Sequence, residues 1–580
     1  RDAVELAEYT INNQKDYILE ELYKRKPDVL CFSCYIWNID YVTDIAREYK
    51  KLCPSVPIWV GGPEVSYEVE AFLRENPYID GVMIGEGEDT FRELCGYYAH
   101  KRKLSDIAGI AFRKNSTGNS TSNRTSVNNA GCKADEIVFT SPRPIKNMSE
   151  IPFCYDTLDD FSNRIIYYES SRGCPFSCSY CLSSVDKTLR FRDTRIVKRE
   201  LKFFIDQKVP QIKFVDRTFN CNHAHAMELW RFIKANDNGV TNFHFEISAD
   251  LLNQEELELI SDMRPGLIQL EIGVQSTNEV TIKEIHRTMK LERLKEVVRL
   301  IQSGNNIHEH LDLIAGLPYE DYDSFGRSFD EIYELKPNQL QLGFLKVLKG
   351  SYMFEHAAEY GIVYHDKPPY EVMSTKWLSF DDVIKIKRVE DMLEVYYNSG
   401  QFEITMKLME CIFDSAFEFF QELGDFYEAN GYFGMSHSRI RRCEILLEFL
   451  ALYLHGCDND AMTSVVLSEN DGDRDNTDFD ENAQIYKMIQ ESLIFDLYYR
   501  ENCKSRPVWA TDIGSFKHMT HAYCKNGKLS HVEPFHYIFP DKHTRKLDEL
   551  PKYHKEPVWA LFHYDMRDPL DHQALVEYVE

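Results

Sequence analysis

Between residues 165 and 348, short runs of β-branched and aromatic residues alternate with longer stretches in which apolar residues recur every three or four positions. The short runs predict buried strands, and the longer stretches predict amphipathic helices. Strands that alternate with helices predict a parallel sheet with right-handed crossovers, whose functional groups gather at the carboxyl ends of the strands. The predicted strands cover residues 165–171, 211–219, 242–250, 267–276, 308–318 and 339–348, and the predicted helices cover residues 195–207, 223–235, 254–263, 280–303 and 322–335.

The first 100 residues show the same alternation with shorter strands, which predicts a doubly wound, Rossmann-like α/β unit. Its predicted strand ends carry Ser33, the pair Gly61 and Gly62, and the run from Gly85 to Glu88. Paired glycines at such an edge let the backbone approach a bound nucleotide closely. The predicted strands cover residues 4–11, 28–36, 56–62 and 78–85, and the predicted helices cover residues 14–24, 41–52, 67–75 and 90–99.

Residues 101–160 are predicted to form a hairpin linker between these two units, with strands at 107–112 and 135–140. A polar low-complexity insert at 114–131 separates the two strands, and its composition predicts a flexible loop. The insert contains Asn-x-Ser/Thr sequons, which we interpret as accidental products of that composition, at Asn115, Asn119 and Asn123.

Beyond the second unit the alternation stops, and long amphipathic stretches predict a mainly helical domain over residues 356–580 with a small sheet element within 558–579. The acidic run at 469–481 has the composition of an EF-hand loop. However, Asn476 and Asn482 stand where that loop needs a glycine and a bidentate acid, so a solvated loop is predicted there. The predicted helices of this domain cover residues 381–399, 402–428 and 438–455.

The length and composition agree with a multidomain protein that has substantial cores: 580 residues, of which 43% are hydrophobic. No stretch predicts a membrane span, and a formal charge of -27 would repel nucleic acid. Cysteines scattered along the chain indicate a reducing cytoplasm. Because the chain opens at Arg1 near what resembles a second strand, we expect it to be a truncated sequence.

Three cysteines, Cys174, Cys178 and Cys181, follow the strand predicted at 165–171 and form an incomplete ligand set. A closed zinc site or an electron-transfer cluster takes four protein ligands, whereas three thiolates on a four-iron cluster leave one iron open to a small molecule. The alternatives are a chance spacing and a zinc site completed by His223 or His225.

In this run of cysteines the chain resembles the radical S-adenosylmethionine (SAM) enzymes, in which an aromatic residue, here Tyr180, precedes the third cysteine. The run Gly-Val-Gln-Ser at 273–276 and the run Asp-Leu-Ile-Ala-Gly-Leu-Pro at 312–318 resemble the branch that includes the oxygen-independent coproporphyrinogen oxidases. The resemblance implies a partial (β/α)6 barrel over residues 161–355. It also implies a [4Fe-4S] cluster that cleaves SAM reductively to a 5'-deoxyadenosyl radical.

The resemblance also suggests roles for residues at the predicted strand ends. Asp216 and Gln275 would hold the methionine part of SAM, and Glu246 would bind its ribose hydroxyls or its amino group. Tyr180 and the backbone around Gly316 and Leu317 would meet the adenine. The alternative for the three polar residues is that they cap helices or form strand-end hydrogen bonds. Arg287 is expected to be solvated, as basic residues on helices usually are.

Residues 1–100 are similar to the cobalamin-binding domain that precedes the barrel in one large class of radical SAM enzymes. Ser33 matches that domain's Ser-x-Leu element, although Tyr35 replaces the leucine, and Gly61 and Gly62 match its paired glycines. The predicted cobalamin contacts are Ser33, Gly61, Gly62, Glu86 and Gly87. The alternative is a plain Rossmann-like domain whose glycines only make turns. The segment that would donate a cobalt-ligating histidine is expected to lie outside this sequence.

These features predict an anaerobic, cytoplasmic radical SAM enzyme that, with cobalamin, methylates or rearranges an unactivated carbon of a small molecule or peptide. An external electron donor of the flavodoxin or ferredoxin type is implied, and neither a nucleic acid nor a membrane is an expected partner. One alternative is a cobalamin-independent radical SAM oxidation or decarboxylation. Another is a non-catalytic sensor or carrier that uses the cluster or the corrinoid.

Overall fold

The computed structural model describes residues 4–114, 136–455 without 156, 159, 160, 162 and 163, and 481–579 without 525–528, 541–543, 545 and 548. The sequons of the polar insert and the acidic run up to residue 480 lie outside these ranges.

The N-terminal domain is a five-stranded sheet with helices on both faces. Its elements are α1 (Lys15–Arg25), β1 (Leu30–Ser33), α2 (Ile39–Leu52), β2 (Ile58–Gly61), α3 (Val69–Glu75), β3 (Gly81–Met83), α4 (Gly87–Tyr98), β4 (Ile110–Arg113) and β5 (Ile137–Phe139). The strands lie in the order β1-β2-β3-β4-β5; the first three are parallel, and β4 and β5 form the antiparallel hairpin that the sequence predicts. Separate clusters of buried apolar side chains lie on the two faces of the sheet.

Residues 4–11, which the sequence predicts as a strand, form no strand. Val4 and Leu6 are 68% and 84% exposed, and this segment pairs with no strand in the described part of the chain. A strand needs a neighbour for its backbone hydrogen bonds, so alternation of residues alone does not form one.

The second domain is an open barrel of six parallel strands. Its elements are β6 (Ile166–Tyr168), β7 (Ser171–Arg172), β8 (Arg190–Phe191), α5 (Thr194–Asp206), β9 (Gln211–Phe214), α6 (His223–Ala235), β10 (Asn242–Ile247), α7 (Gln254–Ser261), β11 (Ile268–Gln275), α8 (Glu279–Glu284), α9 (Leu291–Ser303), β12 (His308–Ala315), α10 (Tyr322–Tyr333) and β13 (Gln339–Phe344). The strand order β6-β9-β10-β11-β12-β13 follows the chain, as the sequence predicts. Burial alternates along β11, so apolar residues face the helices and polar residues face the lumen.

The C-terminal domain is mainly helical and ends in a three-stranded antiparallel sheet. Its elements are α11 (Tyr352–Glu355), β14 (Val363–Tyr364), β15 (Val372–Ser374), α12 (Phe380–Leu393), α13 (Glu403–Ile412), α14 (Ala416–Ala429), α15 (Arg439–His455), α16 (Glu481–Arg500), α17 (Lys517–Tyr523), β16 (Ser530–Tyr537), β17 (Tyr553–Arg567) and β18 (Ala574–Val579). The helix predicted at 402–428 is two helices, because Ser415 caps α14 by accepting a hydrogen bond from Glu418 N at 3.0 Å. One cluster of buried apolar residues runs through the barrel and this domain.

No helix in the described ranges is both long enough and apolar enough to cross a lipid bilayer.

Candidate active site

The three cysteines lie on the loop after β7, at the carboxyl end of the barrel sheet. Cys174 and Cys178 are buried, Cys181 is partly exposed, and all three thiols are free. The loop is tied to the barrel by Ser179 N, which donates a hydrogen bond to Ile285 O at 2.9 Å. Burial raises the pKa of the Cys174 thiol, so a nearby cation or metal is needed to hold it as a thiolate.

Neither histidine proposed as a fourth zinc ligand turns toward this loop. His225 Nε2 lies 2.9 Å from Ser170 Oγ, and His223 Nδ1 lies 2.9 Å from Glu256 Oε1. Burial lowers the pKa of His225 to about 4, which keeps its ring neutral. Within the described ranges, no group of three or more His, Cys, Asp or Glu side chains is placed to hold a single metal ion.

Arg287 lies against the cysteine loop instead of in solvent, so the prediction from its helix-like sequence context is wrong. Its Nη1 lies 3.2 Å from Tyr180 Oη and 3.8 Å from Cys178 Sγ, and its Nη2 donates a hydrogen bond to Gly273 O. Helix α8 ends at Glu284, so the chain turns back before Arg287. The single helix predicted at 280–303 is therefore wrong, because α8 and α9 are separate helices. Neither a glycine nor a proline marks the turn between them, so the sequence carries no clear signal of it.

Asp216 is completely buried at the end of β9, and its carboxylate binds the strand that leads into the cysteine loop. It accepts hydrogen bonds from Ser170 N at 2.9 Å and Ser170 Oγ at 2.8 Å, and another from Ser171 Oγ. Burial raises the pKa of Asp216 to about 6, although these hydrogen bonds oppose the shift. The geometry is that of the strand-end alternative, and the contact of Asp216 with SAM stays a prediction.

Glu246 and Gln275 occupy the carboxyl ends of β10 and β11. Burial raises the pKa of Glu246 to about 7, with Arg217 opposing the shift. Gln275 has a left-handed backbone (φ 78°) beside a register shift between Gly273 and Gln275. Its Oε1 is buried and accepts no hydrogen bond from the described residues. Backbone strain and a buried acceptor without a donor are features that cluster at ligand-binding positions, and the contact of Gln275 with SAM stays a prediction.

Gly316 follows β12 in a left-handed conformation (φ 87°) and packs against the C-terminal domain. A Cβ atom at this position would lie 2.7 Å from Val372 Cγ1 of β15. The neighbouring Leu317 is completely buried, its backbone included, and Gly316 is buried as well. The structure thus explains the glycine by local packing, and the adenine contact stays a prediction.

Below these strand ends the barrel lumen is lined by charged residues that the sequence analysis missed. Lys213 Nζ and His244 Nε2 both lie 2.9 Å from Glu271 Oε2, and together they lower the pKa of Glu271 to about 2. His310 Nε2 lies 3.1 Å from Asp312 Oδ1, and burial raises the pKa of Asp312 well above its usual value. The sequence does contain a signal for these lumen residues, because each is a polar residue at an alternate position of a predicted strand.

The predicted cobalamin contacts lie along the carboxyl edge of the N-terminal sheet. Ser33 is exposed at the end of β1. Gly62 has a positive φ (115°), and a Cβ atom there would collide with the Cys34 backbone, so protein packing alone requires this glycine. Gly61 packs against Met83. At Gly87 a Cβ atom would project into open space, so packing within the described residues does not require this glycine.

The carboxyl edges of the two sheets face each other. Glu86, just before α4, has its Oε1 3.1 Å from Arg172 Nη1 and 2.7 Å from Arg190 Nη1, both of the barrel domain. On the loop after β2, Glu64 accepts a hydrogen bond from Tyr370 Oη. These contacts place the cysteine loop next to the glycine-lined edge of the N-terminal domain.

Comparison with known families agrees with this arrangement. Residues 1–95 match the B12 binding domain, residues 168–332 match the radical SAM superfamily, and residues 358–573 match a protein family of unknown function, DUF4080.

The chain is similar to known proteins and solved structures over part of its length. It is 28% identical over 333 residues to the cobalamin-dependent radical SAM methyltransferase TokK of Streptomyces tokunonensis, a match that covers 53% of this chain and 45% of that protein. It is 25% identical to an anaerobic magnesium-protoporphyrin IX monomethyl ester cyclase of Synechocystis sp., over 43% of this chain and 48% of that protein.

The structure of OxsB, a cobalamin-dependent SAM radical enzyme, with aqua-cobalamin and SAM bound aligns with a TM-score of 0.50 at 15% identity. This alignment covers 84% of this chain and 74% of OxsB. The chain thus spans about half the length of these curated relatives and shares its fold with OxsB. It is a radical SAM protein with a B12 binding domain before the radical SAM domain and a DUF4080 domain after it.

Proposed function

We propose that this protein is a cobalamin-dependent radical SAM enzyme that methylates or rearranges an unactivated carbon of a small molecule or peptide. The observation that carries the proposal is the loop of three free cysteines at the barrel mouth, set directly against the glycine-lined edge of the B12 binding domain. The similarity to TokK supports methylation, and the similarity to the cyclase supports a broader range of carbon-centred reactions.

The donor set fits a [4Fe-4S] cluster with SAM on its open iron. Cys174, Cys178 and Cys181 would hold three irons, and the guanidinium of Arg287 beside Cys178 would offset part of the negative charge of the thiolates. When bound, these cofactors supply the electron, the 5'-deoxyadenosyl radical and the methyl group. The protein positions them and excludes water.

The residues around the cluster would orient SAM. The unpaired Oε1 of Gln275 is an acceptor for its amino group, and Glu246 is a carboxylate for its amino group or ribose. Tyr180 and the backbone of Gly316 and Leu317 would border the adenine. Asp216 would act indirectly, by holding the strand before the cysteine loop. Ser33, Gly61, Gly62, Glu86 and Gly87 would lie along the cobalamin edge.

An electron must reach the cluster from outside the chain, and we propose a donor of the flavodoxin or ferredoxin type in a reducing cytoplasm. The lumen of the barrel, with Glu271, His310 and Asp312, would receive the substrate below SAM.

Anaerobic purification followed by iron, sulfide, zinc and corrinoid analysis tests both cofactors at once. We expect close to four irons and one corrinoid per chain, and 5'-deoxyadenosine on addition of SAM and dithionite. Cys174→Ala should abolish the product, whereas Cys411→Ala, a partly buried cysteine of the C-terminal domain, should not. Intact cluster without corrinoid would favour the cobalamin-independent alternative, and intact cluster without 5'-deoxyadenosine would reject the enzyme class.

A further inference from the structure

We infer that Arg172 is a positioning residue: with Glu86, Glu88 and Arg190 it forms an interdomain clamp that fixes the B12 binding domain relative to the cysteine loop. The inference rests on the proposed function, because its purpose is to set the approach of the two cofactor sites. It also assigns the Glu86 carboxylate to protein contacts instead of to the corrinoid.

Arg172 binds carboxylates from both domains. Its Nη1 lies 3.1 Å from Glu86 Oε1, and its Nη2 lies 2.9 Å from Glu88 Oε1, both at the start of α4. Within the barrel domain, its Nη2 lies 2.7 Å from Glu169 Oε2. One guanidinium thus joins the end of β6 to the N-terminus of α4.

A second cation and the linker complete the clamp. Arg190 Nη1 lies 2.7 Å from Glu86 Oε1 and donates a hydrogen bond to Lys146 O at 3.1 Å. Lys146 N in turn donates to Glu86 Oε2 at 3.3 Å, and Lys146 Nζ lies 2.7 Å from Asp89 Oδ2. The side chains of Arg190 and Lys146 are only 12% and 16% exposed. A partly buried network of this kind is screened less than an isolated surface ion pair.

The clamp is joined rigidly to the first cysteine. Gly173, the single residue between Arg172 and Cys174, has φ 91°, and a Cβ atom there would lie 2.6 Å from Thr188 O. The backbone between clamp and cysteine is therefore packed against its neighbour. A shift of α4 would consequently be transmitted to Cys174 and not absorbed by a loose connection.

A second contact, on a different loop, also fixes the orientation of the B12 binding domain. Glu64 accepts a hydrogen bond from Tyr370 Oη, and Lys349 Nζ lies 3.8 Å from Glu64 Oε1. Two contacts on separate loops of one domain restrict rotation about either of them. The distance between the cysteine loop and the carboxyl edge of the B12 sheet is thereby set by contacts within the protein.

Amide hydrogen exchange of the cofactor-free protein tests the clamp directly. In Arg172→Gln we expect about 10-fold faster exchange in α4 and in residues 171–181, corresponding to about 1.4 kcal/mol. The control is Arg264→Gln, which removes an ion pair with Asp237 of similar exposure inside the barrel domain and should leave both segments unchanged. Unchanged exchange in Arg172→Gln, or an equal effect of the control, would overturn the inference.

A second variant keeps the test decisive if Arg172→Gln folds poorly. Glu88→Gln removes one arm of the clamp and should accelerate exchange in the same segments, and unchanged exchange in this variant would also overturn the inference.

A spectroscopic measurement separates positioning from general stability. In anaerobic protein reconstituted with hydroxocobalamin and reduced, the magnetic interaction between cobalt and cluster should change in Glu88→Gln, while 5'-deoxyadenosine formation persists. An unchanged interaction would count against the clamp. If the protein binds no corrinoid, the proposed function fails, yet the exchange experiment still decides whether the clamp exists.

Discussion

Gln275 combines two features that each lower stability. A left-handed backbone at a non-glycine residue costs about 1–3 kcal/mol, and a buried acceptor without a donor adds to that cost. Residues with such costs are typical of positions where the side chain binds a ligand. In the proposed function, its Oε1 accepts from the amino group of SAM.

Replacing Gln275 with glycine should separate these two effects. Because glycine adopts a positive φ without strain, Gln275→Gly should raise the melting temperature, while the dissociation constant for SAM, measured by equilibrium dialysis, should increase. The matched control is Gln269→Gly on the same strand, where φ is not positive and glycine should lower the melting temperature. Unaltered SAM affinity in Gln275→Gly would contradict the assigned role.

Glu246 should make SAM binding depend on pH. Burial raises its folded-state pKa from 4.5 to about 7. Its contribution to stability is therefore complete below pH 4.5 and is lost as pH rises through about 7. Binding has the opposite direction, because only the carboxylate pairs with an ammonium group. From pH 6 to pH 8 the ionisation of Glu246 alone would raise the affinity for SAM about 10-fold. The α-amino group of SAM loses its proton at about pH 7.7–8.0, so the observed rise should be smaller than this and should level off near pH 8.

Glu246→Gln should remove most of this pH dependence. The other charged groups that act on Glu246 are Arg217, Lys213, Glu271 and Asp216. Of these, Asp216 has a pKa of about 6, so a residual slope centred near pH 6 would identify Asp216 as the source. A profile of the variant identical to that of the native protein would exclude Glu246 as the titrating group.

At the scale of residues, the sequence predicts those candidate ligands that lie close together in the chain, because their spacing is recognisable. Cys174 and Cys181 are only seven positions apart, with Cys178 between them, so one loop carries all three and the sequence alone shows that they are neighbours. The approach of Arg287 to Cys178 could not be predicted, since it depends on where α8 ends and on a hydrogen bond to Gly273 O. Contacts between distant segments need the fold.

The predicted helices and strands are confirmed where the hydrophobic period is clear and each strand has a neighbouring strand to pair with. The six barrel strands alternate with helices, and each strand finds its neighbour in chain order. Helix α16 was missed because its residues from Met488 to Tyr499 are buried almost continuously, which leaves no amphipathic period to detect. The sequence did not predict the break between α13 and α14. The break depends partly on a tertiary contact, since the hydroxyl of Ser415 donates a hydrogen bond to Asp330 Oδ2 of the barrel at 2.7 Å.

The contact between the turn after β12 and strand β15 offers a test at the level of elements. Gly316→Ala should lower the melting temperature for two reasons, the positive φ and the contact with Val372. Adding Val372→Ala should relieve the contact, so the loss in the double variant should be smaller than the sum of the losses in the two single variants. The double variant keeps the backbone strain at residue 316, about 1 kcal/mol, and the burial lost at Val372. Strictly additive losses in the two single variants would show that these elements do not pack as described.

For the whole molecule, the distribution of buried residues predicts how it unfolds. One apolar cluster is shared by the barrel and the C-terminal domain, and the N-terminal sheet has clusters of its own. Phe417 of α14 contacts Phe325 and Phe329 of α10, so the DUF4080 domain completes the outer layer of the barrel. The two should therefore unfold as one cooperative unit, while the B12 binding domain is held mainly by polar contacts.

Calorimetry on paired variants can verify this division. Phe417→Ala should destabilise the larger unit by about 3–5 kcal/mol, and Leu73→Ala, a completely buried residue of α3, should destabilise the N-terminal domain by about 2–5 kcal/mol. Each substitution should shift one transition and leave the other in place, since the buried apolar clusters of the two units are separate in the described ranges. If Phe417→Ala splits the main transition, the barrel and the DUF4080 domain fold separately. If Leu73→Ala shifts every transition equally, the clamp between the domains is strong enough to make the whole chain one cooperative unit.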